Sequence, residues 1–358
     1  MVHKGSRYFF AVIFLILIFI ITGCSKGPAP NQDNPAGPEP ISQTAFVMGT
    51  IAKITIYDGI KDESIFTKAF DRVQEIEDKM TINKETPKSE IIKLNANSGK
   101  EYVALSPETF YILEKGKYFS KLSNGQFDIT IGPVVKLWNI DTEKAALPDD
   151  KLIKEKLQLV NYQNLELNKE QLQAKLLNEN MIVDLGAIAK GYAADEVAKI
   201  LRENNINHAI INLGGNILTI NTKPDGTPFR LGLQDPEKPR GDYLGIVKLN
   251  NQALVSSGTY EKYFELNGKR YHHILDPQTG YPADNGLVSV SIITTSSIDA
   301  DALSTTIFLL GLEKGMEVIN SLPDTEAIFI TADKKIFVSP GINEENFEIV
   351  KEGYQIQK

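Results

Sequence analysis

The scarcities of the chain set its first limits. Its 358 residues include one cysteine, four histidines and one tryptophan. A single cysteine excludes an intrachain disulfide framework and any cysteine-cluster metal site. Four histidines without an HExxH pair argue against the common zinc enzymes. The formal net charge of -8 argues against a nucleic-acid partner, which normally meets a basic stripe. No internal repeat and no GxGxxG element is present. The only long apolar run is Phe9 to Ile21, 13 residues. It is short for a bilayer span but suits the hydrophobic region of a signal peptide.

The lone cysteine stands directly after that run. His3, Lys4 and Arg7 make a basic start, and Ile21-Thr22-Gly23-Cys24 closes it. Small residues before a cysteine resemble the lipobox of bacterial lipoproteins, in which the cysteine is lipidated and becomes the new N-terminus. Residues 1–23 are therefore expected to be a removable signal, and Cys24 the lipidation site at the extracytoplasmic face of the cell membrane. The bland alternative is a free buried cysteine. Removing 1–23 takes away Lys4 and Arg7 and no acid, leaving 335 residues with a net charge of -10. Residues 24–44 are rich in Pro, Gly and polar residues and bury too little to order themselves, so they read as a tether. The remainder, 45–358, reads as one catalytic domain, with 42% hydrophobic residues in the whole chain and ample length for a core.

Periodicity divides the domain. Phe46 to Tyr57 alternates as a strand or hairpin interrupted at Met48-Gly49-Thr50. Asp62 to Met80 carries apolar residues at helical spacing. A short helix is expected over 90–94. Ser106-Pro107-Glu108 is a helix start, with an N-cap, a first-turn proline and an early acid. Phe127 to Ile131 reads as a short strand, and helices are expected over 150–158, 188–204, 299–310 and 313–320. Strands cluster between 165 and 184, between 209 and 297, and after 327. Clustered strands favour an α+β fold with antiparallel sheets flanked by helices over a doubly wound parallel sheet.

Three clusters could carry chemistry, each with an ordinary alternative. Gly186 to Gly191 has the glycine spacing of a P-loop but no Lys-Ser/Thr after it. Asp184-Leu185-Gly186-Ala187 joins an apolar strand to a helix start, which suits an anion or is a plain capped turn. Asp301 and Thr305 stand four apart on one helix face, a hard-oxygen pair suited to Mg²⁺ or Ca²⁺, or an acidic helix N-terminus. Tyr271 to Pro282 holds His272, His273 and Asp276 in a turn; either histidine is a candidate base or phosphate ligand, and Asp276 a candidate backbone cap. The glycine turns at Asn212–Asn216 and Ser256–Tyr260 offer further backbone N–H groups.

Taken in order, Met48-Gly49-Thr50, Phe127–Pro133, Asp184–Tyr192, Asn212–Asn216, His273–Gly280 and Asp301–Thr305 resemble the FAD:protein FMN transferases, the ApbE family, over residues 45 to 345. The resemblance implies an ApbE-like, T-fold-like α+β fold with a flavin-binding cleft. It implies a Mg²⁺-dependent reaction in which FAD is split at its diphosphate, FMN passes to a Thr or Ser hydroxyl of a partner protein, and AMP leaves. Metal ligands carried over by motif are the Ala187 carbonyl, Asp301 and Thr305, with the Ser304 carbonyl beside them. Flavin and adenine contacts carried over are Met48, Gln126, Phe127, Asp128, Asp184, Lys190 and Leu275. His273 matches the family histidine near the reacting phosphate, in a phosphate-binding or acid/base role. The implied partners are FAD, extracytoplasmic redox proteins that accept flavin, and the membrane through the lipid anchor; no nucleic acid is expected. One departure stands out: where many members carry a flavin-stacking aromatic a few positions after a Met-Ser pair, this chain has Asn83 after Met80-Thr81. Tyr260 and Tyr281 are candidate substitutes. Two other readings stay open on sequence alone: an FAD diphosphatase giving FMN and AMP, and a lipoprotein that only binds flavin.

Overall fold

Pairing begins at Ile41, where buried and exposed residues start to alternate. The computed structural model describes residues 38–357 apart from 85 and 141. The signal, the lipobox and most of the tether, including Cys24, lie outside the described residues. The strand β1 (Ile41–Val47) takes up the last four residues expected to be tether. It does so because each of its residues finds a partner in β2 (Thr50–Ile56), with Ile41 opposite Ile56, and because Ser42 and Thr55 hydroxyls meet at 2.9 Å.

These two strands open a nine-stranded sheet. It continues through β6 (Ala209–Leu213), β7 (Asn216–Ile220), β10 (Ala253–Gly258), β13 (Leu287–Thr294), β14 (Glu326–Thr331), β15 (Lys335–Val338) and β17 (Gln355–Ile356). Every pairing is antiparallel except the last. Helices α1 (Ser64–Met80), α6 (Ala189–Glu203) and α7 (Ser297–Ser321) cover one face, where Ile54, Ile211 and Ile292 meet Phe66, Val197 and Phe308. The opposite face carries the next residues along, Ile293 and Ile328 among them. These pack on a second sheet of β8 (Phe229–Gln234), β9 (Tyr243–Leu249) and β16 (Phe347–Ile349) through Leu233, Val247 and Phe347. Ile292 and Ile293 pointing into different cores is the period-2 rule of a strand buried on both faces.

Two smaller layers complete the described part. The strands β3 (Val103–Ala104), β5 (Gln173–Leu176) and β4 (Leu165–Asn168) form one, beside α2 (Glu90–Ala96) and α3 (Pro107–Leu122). Helices α4 (Gly132–Trp138) and α5 (Asp150–Leu157) pack with the hairpin of β11 (Tyr263–Leu266) and β12 (Lys269–His272) around buried Trp138. The α+β class with antiparallel sheets and flanking helices is thus what the chain adopts.

The helix signals read from sequence act as expected. Ser106 Oγ accepts from Thr109 N, and Pro107 occupies the first turn. The two helices expected over 299–320 are α7 bent at Gly311, whose φ of 77° and ψ of -179° break the helical path. Phe127 to Ile131 is not a strand. Asp128 Oδ1 accepts from Thr130 N and from Thr130 Oγ1, both at 2.7 Å, which winds the segment into a turn. A short polar side chain bonding the backbone two residues on defeats the strand that β-branched neighbours promised. Only Ile131 keeps a ladder contact, a single parallel bridge to Ile182.

Candidate active site

Two tight hairpins mark one end of the nine-stranded sheet. Val47 pairs with Thr50, so Met48-Gly49 is a two-residue turn with φ of 51° and 67°. Leu213 pairs with Asn216 around Gly214-Gly215, with φ of 66° and 101°. Both are the primed turns that match strand twist. The interruption at Met48 is therefore a hairpin tip. A methionine at positive φ is held at a cost of order 1–3 kcal/mol, and such outliers concentrate at functional sites. Glu77 of α1 supports it by accepting from Met48 N at 2.9 Å. The two tips touch, since a Cβ on Gly214 would stand 2.3 Å from Thr50 Oγ1. The antiparallel ladder brings Ser257 and Gly258 of β10 to this same end.

Behind them, α6 and α7 clasp each other. Asp301 of α7 is 4% exposed, and its Oδ2 accepts from Gly191 N, in the first turn of α6, at 2.9 Å. Asp195 of α6 returns the arrangement, accepting from Ser297 N and Ile298 N at 3.0 and 2.9 Å. Each carboxylate satisfies the free N–H groups of the other helix, where the helix dipole favours negative charge. Burial, against those two hydrogen bonds, pushes the Asp195 carboxyl up to about 6. Gly191 is obligatory here: a Cβ would lie 2.3 Å from Ser297 O and 2.7 Å from Asp301 Cβ.

The remaining oxygen of Asp301 faces Lys190 Nζ at 3.5 Å, and that ammonium also donates to Gly186 O at 3.2 Å. Ser257 Oγ lies 2.8 Å from Ser304 Oγ and 3.2 Å from Thr305 Oγ1. One buried carboxylate, hydroxyls and main-chain carbonyls are hard donors. Among the described residues, no three His, Cys, Asp or Glu gather at a metal-binding spacing. The donor set accordingly fits a cation that also takes oxygens from a bound phosphate, as Mg²⁺ does with one or two carboxylates. The Lys190 ammonium sits between Gly186 O and Asp301 Oδ1 at the edge of this oxygen cluster.

The segment 181–188 enters α6 beside this cluster. It forms no strand beyond the Ile182 bridge; the Asn95 side chain flanks Val183 instead, donating to its carbonyl at 3.0 Å and accepting from its N–H at 2.8 Å. Asp184 N donates to Ile129 O, which draws the 126–131 turn alongside. Burial pushes the Asp184 carboxyl up, opposed by the Gly186 N–H and by Lys136, Lys262 and Lys190. His273 lies in the same field. Burial first, then Lys262, His272 and Lys190, push its imidazole down to about 3. Lys190 and Lys262 therefore act on both the Asp184 carboxyl and the His273 imidazole, and Lys136 acts on Asp184.

The two histidines have different tasks. His272 is buried; its Nε2 lies 2.9 Å from Ala283 O, and Ile274 N donates to its Nδ1 at 3.3 Å. Both ring nitrogens are used, so His272 is a framework residue. His273 Nδ1 lies 3.3 Å from Lys262 O. A carbonyl only accepts, so Nδ1 carries the proton and Nε2 keeps its lone pair.

Other expected contacts are placed less directly. Asp128 spends one oxygen on its own turn and the other on Tyr162 N, which donates to it at 2.8 Å across 34 residues, and burial pushes its carboxyl up. Phe127 is buried with its ring edge-on to Phe119. Leu275 is buried in the Trp138 cluster. From these three only main-chain groups are available to a ligand, whereas the Gln126 side chain is half-buried. Asp276 is a turn cap, accepting from Gln278 N at 2.8 Å. Asn83 accepts from Lys136 Nζ at 2.8 Å, so an amide and an ammonium stand where the aromatic is missing. Tyr281 packs on Trp138 and bonds Asp150, and Tyr260 reaches Ser289 at 3.3 Å. Asp195, Glu77, Asn95 and the Lys262 carbonyl escape a sequence reading. Nothing in their neighbourhoods marks them, because each acts across more than ten residues of sequence.

Comparison with known proteins follows this geometry. Residues 48–329 match the model of the ApbE family. An FAD:protein FMN transferase of Klebsiella pneumoniae (strain 342) is 36% identical over 315 residues, covering 88% of this chain and 96% of that protein. One from Treponema pallidum (strain Nichols) is 33% identical, covering 95% and 96%. Among solved structures, the ApbE protein from Thermotoga maritima MSB8 superposes with a TM-score of 0.76 at 30% identity, covering 84% of this chain and 97% of that one. The flavin transferase ApbE from Vibrio cholerae gives 0.72 at 27%, covering 87% and 96%.

Proposed function

The chain belongs to the ApbE family and is a flavin transferase, and from that premise we propose how its residues move FMN from FAD to a hydroxyl of a partner protein. FAD lies with its diphosphate among Lys136, Lys190, Lys262 and the N-terminus of α6. Fixed cations and oriented N–H groups stabilise charge that develops as the diphosphate is cleaved. Ala187 O, Asp301 and Thr305, with Ser304 O beside them, hold Mg²⁺, which when bound withdraws electrons from the phosphate oxygens. His273 Nε2 takes the proton of a Thr or Ser hydroxyl. The oxygen forms a bond to the FMN phosphorus, the bond to the AMP oxygen breaks, and AMP departs. Met48, Gln126, the main chain of Phe127, Asp128 and Leu275, and Asp184 line the flavin and adenine.

The observation that supports this most directly is His273, neutral and with Nε2 unprotonated, in the field of the same lysines as Asp184. Its unprotonated Nε2 has the lone pair that accepting a proton requires. The test is incubation of the protein with FAD, Mg²⁺ and a threonine-bearing acceptor, read as covalent flavin fluorescence and released AMP. Asp301→Ala should lower transfer at least about 100-fold by removing the carboxylate ligand. Full activity of that variant at limiting Mg²⁺ would overturn the metal assignment. FMN released free with no acceptor labelled would mark the protein as a diphosphatase.

We infer also that Cys24 carries lipid and holds the enzyme at the extracytoplasmic membrane face, near redox proteins that accept flavin. The motif at 21–24 supports this, and among the described residues no helix is long and apolar enough to cross a membrane. Cys24→Ser should shift the protein from the membrane fraction to the soluble one.

A further inference from the structure

A transferase needs room for two substrates. A cleft of about 980 Å³ is lined by none of the residues assigned above to FAD or metal. Its walls are the loop after β8, the segment 259–263 after β10, Arg270 of β12 and the turn between β14 and β15. The loop is preformed. Asp235 N bonds Asp242 O at 3.0 Å, Gln234 Nε2 donates to Asp235 O at 2.8 Å, and buried Asp235 accepts from Tyr354 OH at 2.8 Å and pairs with Lys351.

Three observations identify an occupant. First, the cleft is basic in an acidic protein. Lys238, Arg240, Arg270 and Lys334 line it with Glu237 and Glu261, which pair with Lys334 and Arg240, while Arg270 pairs with Glu265 beyond the lining; the chain as a whole carries -8. Second, its aromatic lining is tyrosine: Tyr260, Tyr263 and Tyr354, with Arg270 stacked 4.0 Å over the Tyr263 ring. Tyrosine and arginine are the side chains favoured where proteins meet proteins. Third, the cleft adjoins the reacting group. The segment that contributes Tyr260 and Tyr263 also supplies the Lys262 carbonyl that fixes His273 Nδ1. Arg240, on the facing loop, donates to Gly214 O at 2.7 Å at the hairpin end.

We propose that this cleft docks the acceptor protein through an acidic segment flanking the target hydroxyl, and delivers that hydroxyl to His273. The inference rests on the transferase reading and names the partner chemistry it uses. Opposite charge guides the encounter and sets register, and the tyrosine walls hold the chain. The 13-residue probes are two fluorescein-labelled peptides with a central threonine, one flanked by Asp and Glu, the other by Lys. Binding to the FAD-loaded enzyme is read by anisotropy, and FAD affinity is measured separately. The acidic peptide should bind at least tenfold tighter than the basic one, and raised salt should weaken it. Lys238→Glu with Lys334→Glu, on the two turns that line the cleft, should abolish that preference and leave FAD affinity unchanged. Equal binding of the two peptides, or an unchanged preference in the double variant, overturns the proposal. Loss of FAD affinity in the variant also overturns it, by assigning the cleft to FAD, and leaves the transferase reading intact. A wild-type protein that neither binds nor splits FAD would instead overturn the reading itself.

Discussion

His273 is decided by its surroundings more than by its identity. An exposed imidazole titrates near 6.5, but burial and Lys262 lower this one to about 3. It therefore enters the reaction as a base throughout the physiological range. We expect kcat/KM, which reports the free enzyme, to be flat over roughly pH 5.5–7.5 as far as this residue is concerned. A break near 6.5 that disappears in His273→Gln would contradict the assignment. The same shift bears on stability. With the folded value below the unfolded one, the contribution is complete above about 6.5 and is lost as pH falls towards 3. Its neighbour His272, also lowered by burial, contributes in the same direction. Two adjacent histidines thus share a direction of shift and differ in task, because one has both nitrogens bonded and the other has one.

At the scale of elements, the unit that matters is the α6–α7 clasp. Asp301 serves Gly191 N while Asp195 serves Ser297 N and Ile298 N, so the candidate cation site and the helix packing are one construction. Gly191→Ala tests it. The new methyl would meet Ser297 O and Ile298 Cα at 2.3 and 2.6 Å, both main-chain atoms that cannot swing away. We expect a loss of about 1–3 kcal/mol in denaturant unfolding, with a weaker Mg²⁺ affinity as Asp301 shifts. A variant of unchanged stability and unchanged Mg²⁺ dependence would show that the clasp does not set the site.

Over the described molecule, two sheets pack face to face while the chemistry gathers at one end of the larger sheet. The second sheet and the C-terminal strand support the basic cleft from behind, through Asp235. This carboxyl is held below its usual range by Lys351, Glu237 N and Tyr354 against the cost of burial. Lys351→Met removes one charged partner and should lower unfolding free energy by about 1.5–3 kcal/mol. FAD affinity, which is set elsewhere, should persist, and acceptor labelling should fall. Thermal unfolding, FAD binding and labelled acceptor would check both halves.

The sequence alone determined the local and the linear. Helix starts at Ser106 and near Ile188, the break at Gly311, the alternation of β1 and β2, and the ordered blocks that mark the family all rest on contacts within a few residues. The family blocks also pointed to His273, Asp301 and Thr305 before any fold was known. Tertiary structure decided what depends on distance. It turned 127–131 into a loop through Asp128, gave His272 to the framework, and placed Asp195 opposite α7. It also built a basic cleft from six segments spread over residues 234–354. The physical reason is common to all of these. Burial and charge at a residue are sums over neighbours that the chain brings together only by folding, and no local pattern carries that sum.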